Sequence, residues 1–141
     1  MATTRTASTH WEGSLFEGAG KVTLDSSGTG TYDVSWASRA EEANGKTSPE
    51  ELIAAAHSAC FSMALSNGLA KADSPPTALE TSAEVDFVPG TGITEIRLKV
   101  RGTVDGMSNE DFVAAAEDAK ANCPVSKALS AVPISLDAAL A

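Results

Sequence analysis

The chain has 141 residues and a net charge of −9, with 43% hydrophobic but only 5% aromatic residues. This length and composition fit one domain with a real core, and we predict a single domain over residues 1–141. The negative charge disfavours nucleic acid and anionic membranes as partners, because both repel a negative surface.

The N-terminal third is predicted to form short strands. Its first ten residues contain no apolar block, so we expect no signal peptide and a cytoplasmic protein without a membrane span. Alternation around glycines predicts strands near 9–13, 20–25 and 31–36. Residues 37–47 are polar and predict a loop, which carries Arg39.

A long apolar helix is predicted next. Ser48 can cap it, Pro49 suits the first helical position, and Glu51 completes the spacing of a capping box. The helix is expected to run to about Ala72, and its middle is apolar on nearly every face, as in helices buried on all sides. One face could meet the chain's own sheet and another a second subunit, so we expect a homodimer.

The second half predicts a β-hairpin, two helices and a closing strand. In chain order these lie at 79–88, 93–104, from 108 onward, from 124 to about 131, and at 133–137. The predicted fold class is therefore α+β, with antiparallel sheets around a buried central helix.

The chain has two cysteines, and each lies where a reactive thiol could lie. Cys60 is near the middle of the apolar helix. Cys123 directly precedes Pro124 at a predicted helix start, where unpaired N–H groups favour a thiolate. This pattern indicates a dithiol–disulfide couple rather than zinc, which needs about four closely spaced ligands. The alternative is that both cysteines are inert, since free cysteine often packs as a small buried hydrophobe.

A reactive Cys60 needs a nearby cation, because burial alone raises the pKa of a thiol. Glu50 lies about 80° around the helix from Cys60 and roughly 15 Å along it, whereas Glu51 points to the opposite side. Arg39 could hold Glu50 bidentately and direct other N–H groups to the sulfur, although a solvated loop charge is the alternative. His57, on nearly the same face as Cys60, is expected to be hydrogen-bonded in the core or at an interface.

Two long motifs resemble the OsmC/Ohr family (osmotically induced protein C and organic hydroperoxide resistance protein). They are Ser48–Leu65 (SPEELIAAAHSACFSMAL) and Asn122–Leu129 (NCPVSKAL), in the order and separation typical of the family. His10–Gly13 (HWEG) and the region 38–41 are also similar. His57 stands where the Ohr branch usually carries tyrosine, so the chain resembles the OsmC branch.

The resemblance implies an intertwined homodimer and a thiol-dependent peroxidase that prefers organic hydroperoxides to hydrogen peroxide. By motif position, Cys60 matches the peroxidatic cysteine and Cys123 the resolving cysteine. Arg39 matches the arginine that assists peroxide reduction, and Glu50 the glutamate that holds it. The sulfenic acid on Cys60 would condense with Cys123, and an external dithiol would reduce the disulfide. We expect no cofactor and no metal.

Other functions use the same residues differently. The thiols could belong to a non-catalytic redox sensor, which would need a protein partner that responds to the oxidised form. They could also merely pack in a structural or ligand-binding dimer. Metal binding is disfavoured, because two cysteines and two histidines lack compact ligand spacing.

Overall fold

Ten secondary-structure elements make up the computed structural model, which describes all residues, Met1–Ala141. In chain order they are β1 (Ser8–Glu12), β2 (Ala19–Thr23), β3 (Thr31–Val34), α1 (Trp36–Ala40), α2 (Pro49–Lys71), β4 (Ala78–Val88), β5 (Gly92–Thr103), α3 (Asn109–Asn122), α4 (Pro124–Ala128) and β6 (Ile134–Leu140). This order confirms the α+β class. The chain forms two compact units, Met1–Leu52 and Ile53–Ala141, and the single domain over 1–141 stays a prediction.

The first unit contains a three-stranded antiparallel sheet in the order β1-β2-β3. Its strands match the three predicted ones closely. Glycine is needed at position 20 of β2, because a Cβ there would come within 2.7 Å of the Trp11 ring on β1. After β3, Thr47 returns to the sheet and its N–H donates to the Asp33 carbonyl at 2.9 Å. This contact fixes the start of α2 beside the end of β3.

Part of the predicted loop at 37–47 is instead the short helix α1. Ser35 caps it: its hydroxyl accepts from the Ser38 N–H at 3.1 Å, and the Ser38 hydroxyl accepts from the Ser35 N–H at 3.0 Å. The loop prediction was wrong here because a helix of five residues shows no apolar periodicity. Arg39 therefore lies in the last turn of a helix with a fixed start.

Helix α2 begins as predicted. The Ser48 hydroxyl accepts from the Glu51 N–H at 3.1 Å, and Pro49 is the first helical residue. The Glu51 carboxylate does not reach back to the cap residue but accepts from the Thr47 hydroxyl at 2.5 Å.

The second unit contains a three-stranded sheet in the order β4-β5-β6. The predicted hairpin is present, with Val85 opposite Ile96 and Ala83 opposite Leu98. One detail of the prediction was wrong: β6 pairs with β5 in parallel, so the sheet is mixed rather than antiparallel. The reason is the intervening pair of helices, α3 and α4, because a parallel pairing requires a long crossover.

The core of the second unit lies between α2, α3 and the sheet. Its buried members include Phe61, Leu65, Leu69, Leu98, Val100, Phe112, Ala116 and Cys123. Helix α2 was expected to be buried on all sides, yet in the single chain it buries one stripe and exposes another, with Met63 72% exposed. By length and composition α2 could cross a membrane, but this is weak evidence, because core helices pass the same test.

Candidate active site

The two cysteines of the second unit meet in space. The Sγ atoms of Cys60 and Cys123 lie 2.9 Å apart and share a hydrogen bond, although 63 residues separate them in the chain. Both thiols are free, Cys123 is fully buried and Cys60 is partly exposed. A disulfide would hold the sulfurs at about 2.05 Å, so the pair is a reduced dithiol and not a disulfide.

Cys123 lies at the joint between two helices. Cys123 is both the C-cap residue of α3 and the N-cap residue of α4. Pro124 occupies the first turn of α4, as predicted. Its backbone N–H donates to the Ala119 carbonyl at 2.8 Å, which ties the joint to α3. The Cys123 side chain makes no capping hydrogen bond. The joint therefore positions the sulfur through the backbone.

The surroundings of Cys123 favour its ionised form. Burial opposes ionisation, but the hydrogen bond with Cys60 outweighs it together with the N–H and hydroxyl groups of Ser126 and the N–H of Val125. The pKa of the Cys123 thiol is consequently lowered. This agrees with the prediction from the helix start, and it adds Ser126 as a second cause.

Cys60 is shifted in the opposite direction. Burial raises the pKa of the Cys60 thiol, the hydrogen bond with Cys123 raises it further, and the Val125 N–H lowers it only in part. Within the second unit, the proton of the pair is thus favoured on Cys60 and the negative charge on Cys123. The raised pKa of the Cys60 thiol agrees with the sequence argument that burial disfavours its thiolate.

A buried histidine lies behind the cysteine pair. His57 Nε2 lies 2.7 Å from Ser126 Oγ, and both residues are buried. Burial lowers the pKa of His57, so the ring is neutral at physiological pH. The expectation of a hydrogen-bonded core histidine is confirmed. The sequence reasoning missed Ser126, although a serine three residues after the Cys123 cap was a readable signal.

Arg39 and Glu50 form a bidentate ion pair within the first unit. Arg39 Nε donates to Glu50 Oε1 at 3.1 Å, and Nη2 donates to Oε2 at 2.9 Å. The Glu50 side chain is 7% exposed and that of Arg39 is 32% exposed. The neighbouring Glu51 is exposed and takes no part. The pairing that helix geometry favoured, Glu50 rather than Glu51, is the one present.

The four predicted site residues thus form two pairs. Cys60 lies with Cys123 in the second unit, and Arg39 lies with Glu50 in the first. Their catalytic roles stay predictions. No group of three or more His, Cys, Asp or Glu side chains is arranged to hold a metal ion.

The sequence matches one protein family over most of its length. A sequence model of the OsmC-like protein family matches residues 42–137. Peroxiredoxin OsmC of Escherichia coli strain K12 is 43% identical over 131 residues, which covers 91% of this chain and 90% of that protein. The chain belongs to the OsmC family. Peroxiredoxin OsmC of Shigella flexneri matches with the same identity and coverage, which supports the OsmC branch.

Solved structures of the OsmC family share the fold. The organic hydroperoxide resistance protein of Elizabethkingia anophelis aligns with a TM-score of 0.74 at 24% identity, covering 100% of both chains. OhrB of Bacillus subtilis aligns with a TM-score of 0.71 at 24% identity, over 96% of this chain and 98% of that one. At these identities the likeness shows the fold alone. The curated OsmC relatives support a cysteine-based peroxidase or redox protein at the family level.

Proposed function

We propose that this OsmC-family chain reduces organic hydroperoxides to alcohols, and hydrogen peroxide more slowly, through Cys60 and Cys123. The 2.9 Å approach of the two free thiols carries the proposal. It lets an oxidised Cys60 be captured by Cys123 with little movement. The preference for organic peroxides rests on the family resemblance and on solved relatives that are organic hydroperoxide resistance proteins.

The first step oxidises Cys60. Its thiolate attacks the outer oxygen of the hydroperoxide, so that a sulfur–oxygen bond forms, the O–O bond breaks and an alkoxide leaves. The alkoxide takes a proton to become the alcohol, and Cys60 becomes a sulfenic acid.

The second step involves Cys123. Its thiolate attacks the sulfur of the sulfenic acid, the new S–S bond replaces the S–O bond, and the departing hydroxide takes a proton to become water. An external dithiol then exchanges with the disulfide and restores both thiols. We expect this cycle in the cytoplasm, where such reductants are maintained.

The role of Arg39 follows from the raised pKa of the Cys60 thiol. Because the second unit's own groups favour a protonated Cys60, the peroxide step needs a cation that stabilises the thiolate and then the leaving alkoxide. Arg39 is the proposed cation. Its bidentate hydrogen bonding to the buried carboxylate of Glu50 fixes the plane of the guanidinium. Glu50 is therefore proposed as a positioning residue.

A homodimer is part of the proposal. Helix α2 exposes a face of small and apolar side chains in the second unit, formed by Ala55, Ala59, Met63 and Ala70. Small residues allow a second helix to approach closely, and Met63 offers a large side chain for burial. A second copy of the chain is the proposed occupant, in agreement with the family resemblance.

Turnover of cumene hydroperoxide with a small dithiol tests this function. The parent protein should turn over, Cys60→Ser should be inactive, and Cys123→Ser should lose recycling through the internal disulfide. Ser62→Ala is a matched control, because Ser62 also lies on α2 but bonds to Thr81, at 2.7 Å, and should retain activity. A parent protein that does not consume the peroxide, or a Cys60→Ser variant that does, would contradict the proposal.

A further inference from the structure

We propose that His57 is a positioning residue for the resolving step: through Ser126 it holds Cys123 as the thiolate that attacks the oxidised Cys60. The identity of that step rests on the proposed function, whereas the effect on the Cys123 thiol does not. Neither His57 nor Ser126 belongs to the set of site residues assigned above by motif position.

The geometry of the contact is the first support. His57 projects from α2, and its Nε2 lies 2.7 Å from the hydroxyl of Ser126, which is 69 residues away. Ser126 is the third residue of α4, and a side chain at that position can reach back to the N-cap residue, here Cys123. Both members are buried, so water does not compete for their hydrogen bonds. His57 and Ser126 are therefore joined directly, and Ser126 lies three residues after the buried Cys123, within the first turn of the helix that Cys123 caps.

The direction of the hydrogen bonds follows from the unpaired atom. His57 Nδ1 is buried and has no partner. A neutral imidazole carries one N–H and one acceptor nitrogen. A proton on Nδ1 would leave a buried donor unsatisfied, which is rarer than an unsatisfied acceptor. The proton is thus assigned to Nε2, which donates to Ser126 Oγ. This leaves the Ser126 hydroxyl free to donate, and the proposal assigns the Cys123 sulfur as its acceptor.

Two donors in series stabilise a negative sulfur. The bond from the Ser126 hydroxyl is among the causes that lower the pKa of Cys123. The titratable groups around this sulfur are Cys60, in direct contact, and His57, through Ser126. A larger thiolate fraction speeds attack on the Cys60 sulfenic acid. It also makes Cys123 a better leaving group when the external dithiol reduces the disulfide.

The test measures the pKa of Cys123 without any peroxide. In a Cys60→Ser background Cys123 is the only thiol, and its ionisation can be followed by thiolate absorbance and by alkylation rate against pH. Ser126→Ala and His57→Phe should each raise the pKa of Cys123 by about one pH unit. This is the effect expected when a thiolate loses one hydrogen bond. The double variant should raise it no further, because both changes break one chain.

His57→Gln distinguishes positioning from packing. Its side-chain amide can donate from nearly the same place as Nε2, so the pKa of Cys123 should return close to that of the parent. Ser62→Ala removes a hydroxyl of α2 that is hydrogen-bonded to Thr81 of β4, and it should leave the pKa of Cys123 unchanged. An unchanged pKa in Ser126→Ala, or effects of Ser126→Ala and His57→Phe that add fully, would overturn the proposal. Ser126→Ala carries this test by itself if the phenylalanine variant does not fold.

A kinetic readout connects the pKa to the reaction. With both cysteines present, one equivalent of organic hydroperoxide should still oxidise Cys60 in Ser126→Ala, and the disulfide should then form from the sulfenic acid several-fold more slowly than in the parent. A shifted pKa in a protein that does not reduce peroxide would remove the proposed function and keep the role of His57. Peroxide turnover with an unshifted pKa of Cys123 would keep the proposed function and overturn the role of His57.

Discussion

The Sγ atoms of Cys60 and Cys123 lie 2.9 Å apart, although the two residues come from helices that are far apart in the sequence of the second unit. Helix α2 supplies Cys60 from its middle, and the joint of α3 and α4 supplies Cys123. Phe61 and Phe112 pack in the same core, so the approach of the sulfurs depends on core packing rather than on a flexible loop. A dithiol built in this way can close and reopen while the core stays in place.

Loss of Cys123 should separate oxidation from recycling. In Cys123→Ser the Cys60 sulfenic acid has no internal thiol to meet, so it should advance to sulfinic acid with excess peroxide. Intact-mass spectrometry should show added oxygen on the variant and none on the parent after equal exposure. A variant that still cycles normally with a dithiol would mean that resolution comes from outside the chain.

Exchange of Arg39 for lysine should slow the peroxide step without preventing folding. Lysine keeps the charge but cannot reproduce the bidentate hydrogen bonding of Arg39 Nε and Nη2 to Glu50. We expect sulfenic acid formation to fall by about 10²-fold, the range for losing one oriented donor to a developing negative charge. Stopped-flow kinetics with limiting peroxide measure this step directly. An unchanged rate would show that Arg39 takes no part in the chemistry.

Glu50 and Glu51 offer a matched pair of substitutions. Glu50→Gln removes the buried charge that orients Arg39 and should slow the peroxide step by about 10–100-fold. Glu51→Gln changes an adjacent exposed carboxylate that accepts a hydrogen bond from the Thr47 hydroxyl, and should leave the rate unchanged. Equal rates for the two variants would contradict the positioning role of Glu50.

The exposed face of α2 should control assembly. Met63→Glu places a charge on the face formed by Ala55, Ala59, Met63 and Ala70, and should convert a dimer to a monomer in analytical ultracentrifugation. Val88→Glu is the control, because Val88 is a hydrophobic residue exposed at the end of β4, away from this face. A parent protein that is monomeric, or a Met63→Glu variant that stays dimeric, would contradict the proposed interface.

Stability should fall on mild acidification because of His57. Burial lowers the pKa of His57 below 6.5, so the unfolded chain binds a proton more readily than the folded one. The contribution of the neutral ring is therefore complete above pH 6.5 and is lost as the pH falls from 6.5 through the lowered pKa of the folded state. Urea unfolding across this window should show the loss in the parent and in His10→Gln, an exposed histidine, but not in His57→Gln. A parallel loss in His57→Gln would assign it to other groups.

The sequence predicted the parts of the structure that have local signals. Ser48-Pro49 marked the start of α2, the alternating runs marked the hairpin, and Cys123-Pro124 marked the joint before α4. The choice of Glu50 over Glu51 followed from helix geometry alone. These features depend on a few neighbouring residues, and the folded structure keeps them.

Features that have no periodic pattern, or that depend on distant residues, were missed. Helix α1 is fixed by Ser35 and Ser38 and is too short for a periodic pattern. The parallel direction of β6 depends on how α3 and α4 cross the sheet, which no local pattern records. The contact of His57 with Ser126 joins residues 69 positions apart. Such contacts are determined by tertiary packing.

The measurement that tests the central claim most directly is a titration of the fully reduced protein with a slight excess of cumene hydroperoxide, beside a parallel sample with hydrogen peroxide. Free thiols and intact mass are followed over time. A Cys60–Cys123 peroxidase should lose both thiols rapidly, faster with the organic peroxide, and lose the mass of two hydrogens without gaining oxygen or forming a covalent dimer. Thiols that stay reduced for hours, or oxygen added to Cys60 while Cys123 stays free, would contradict it.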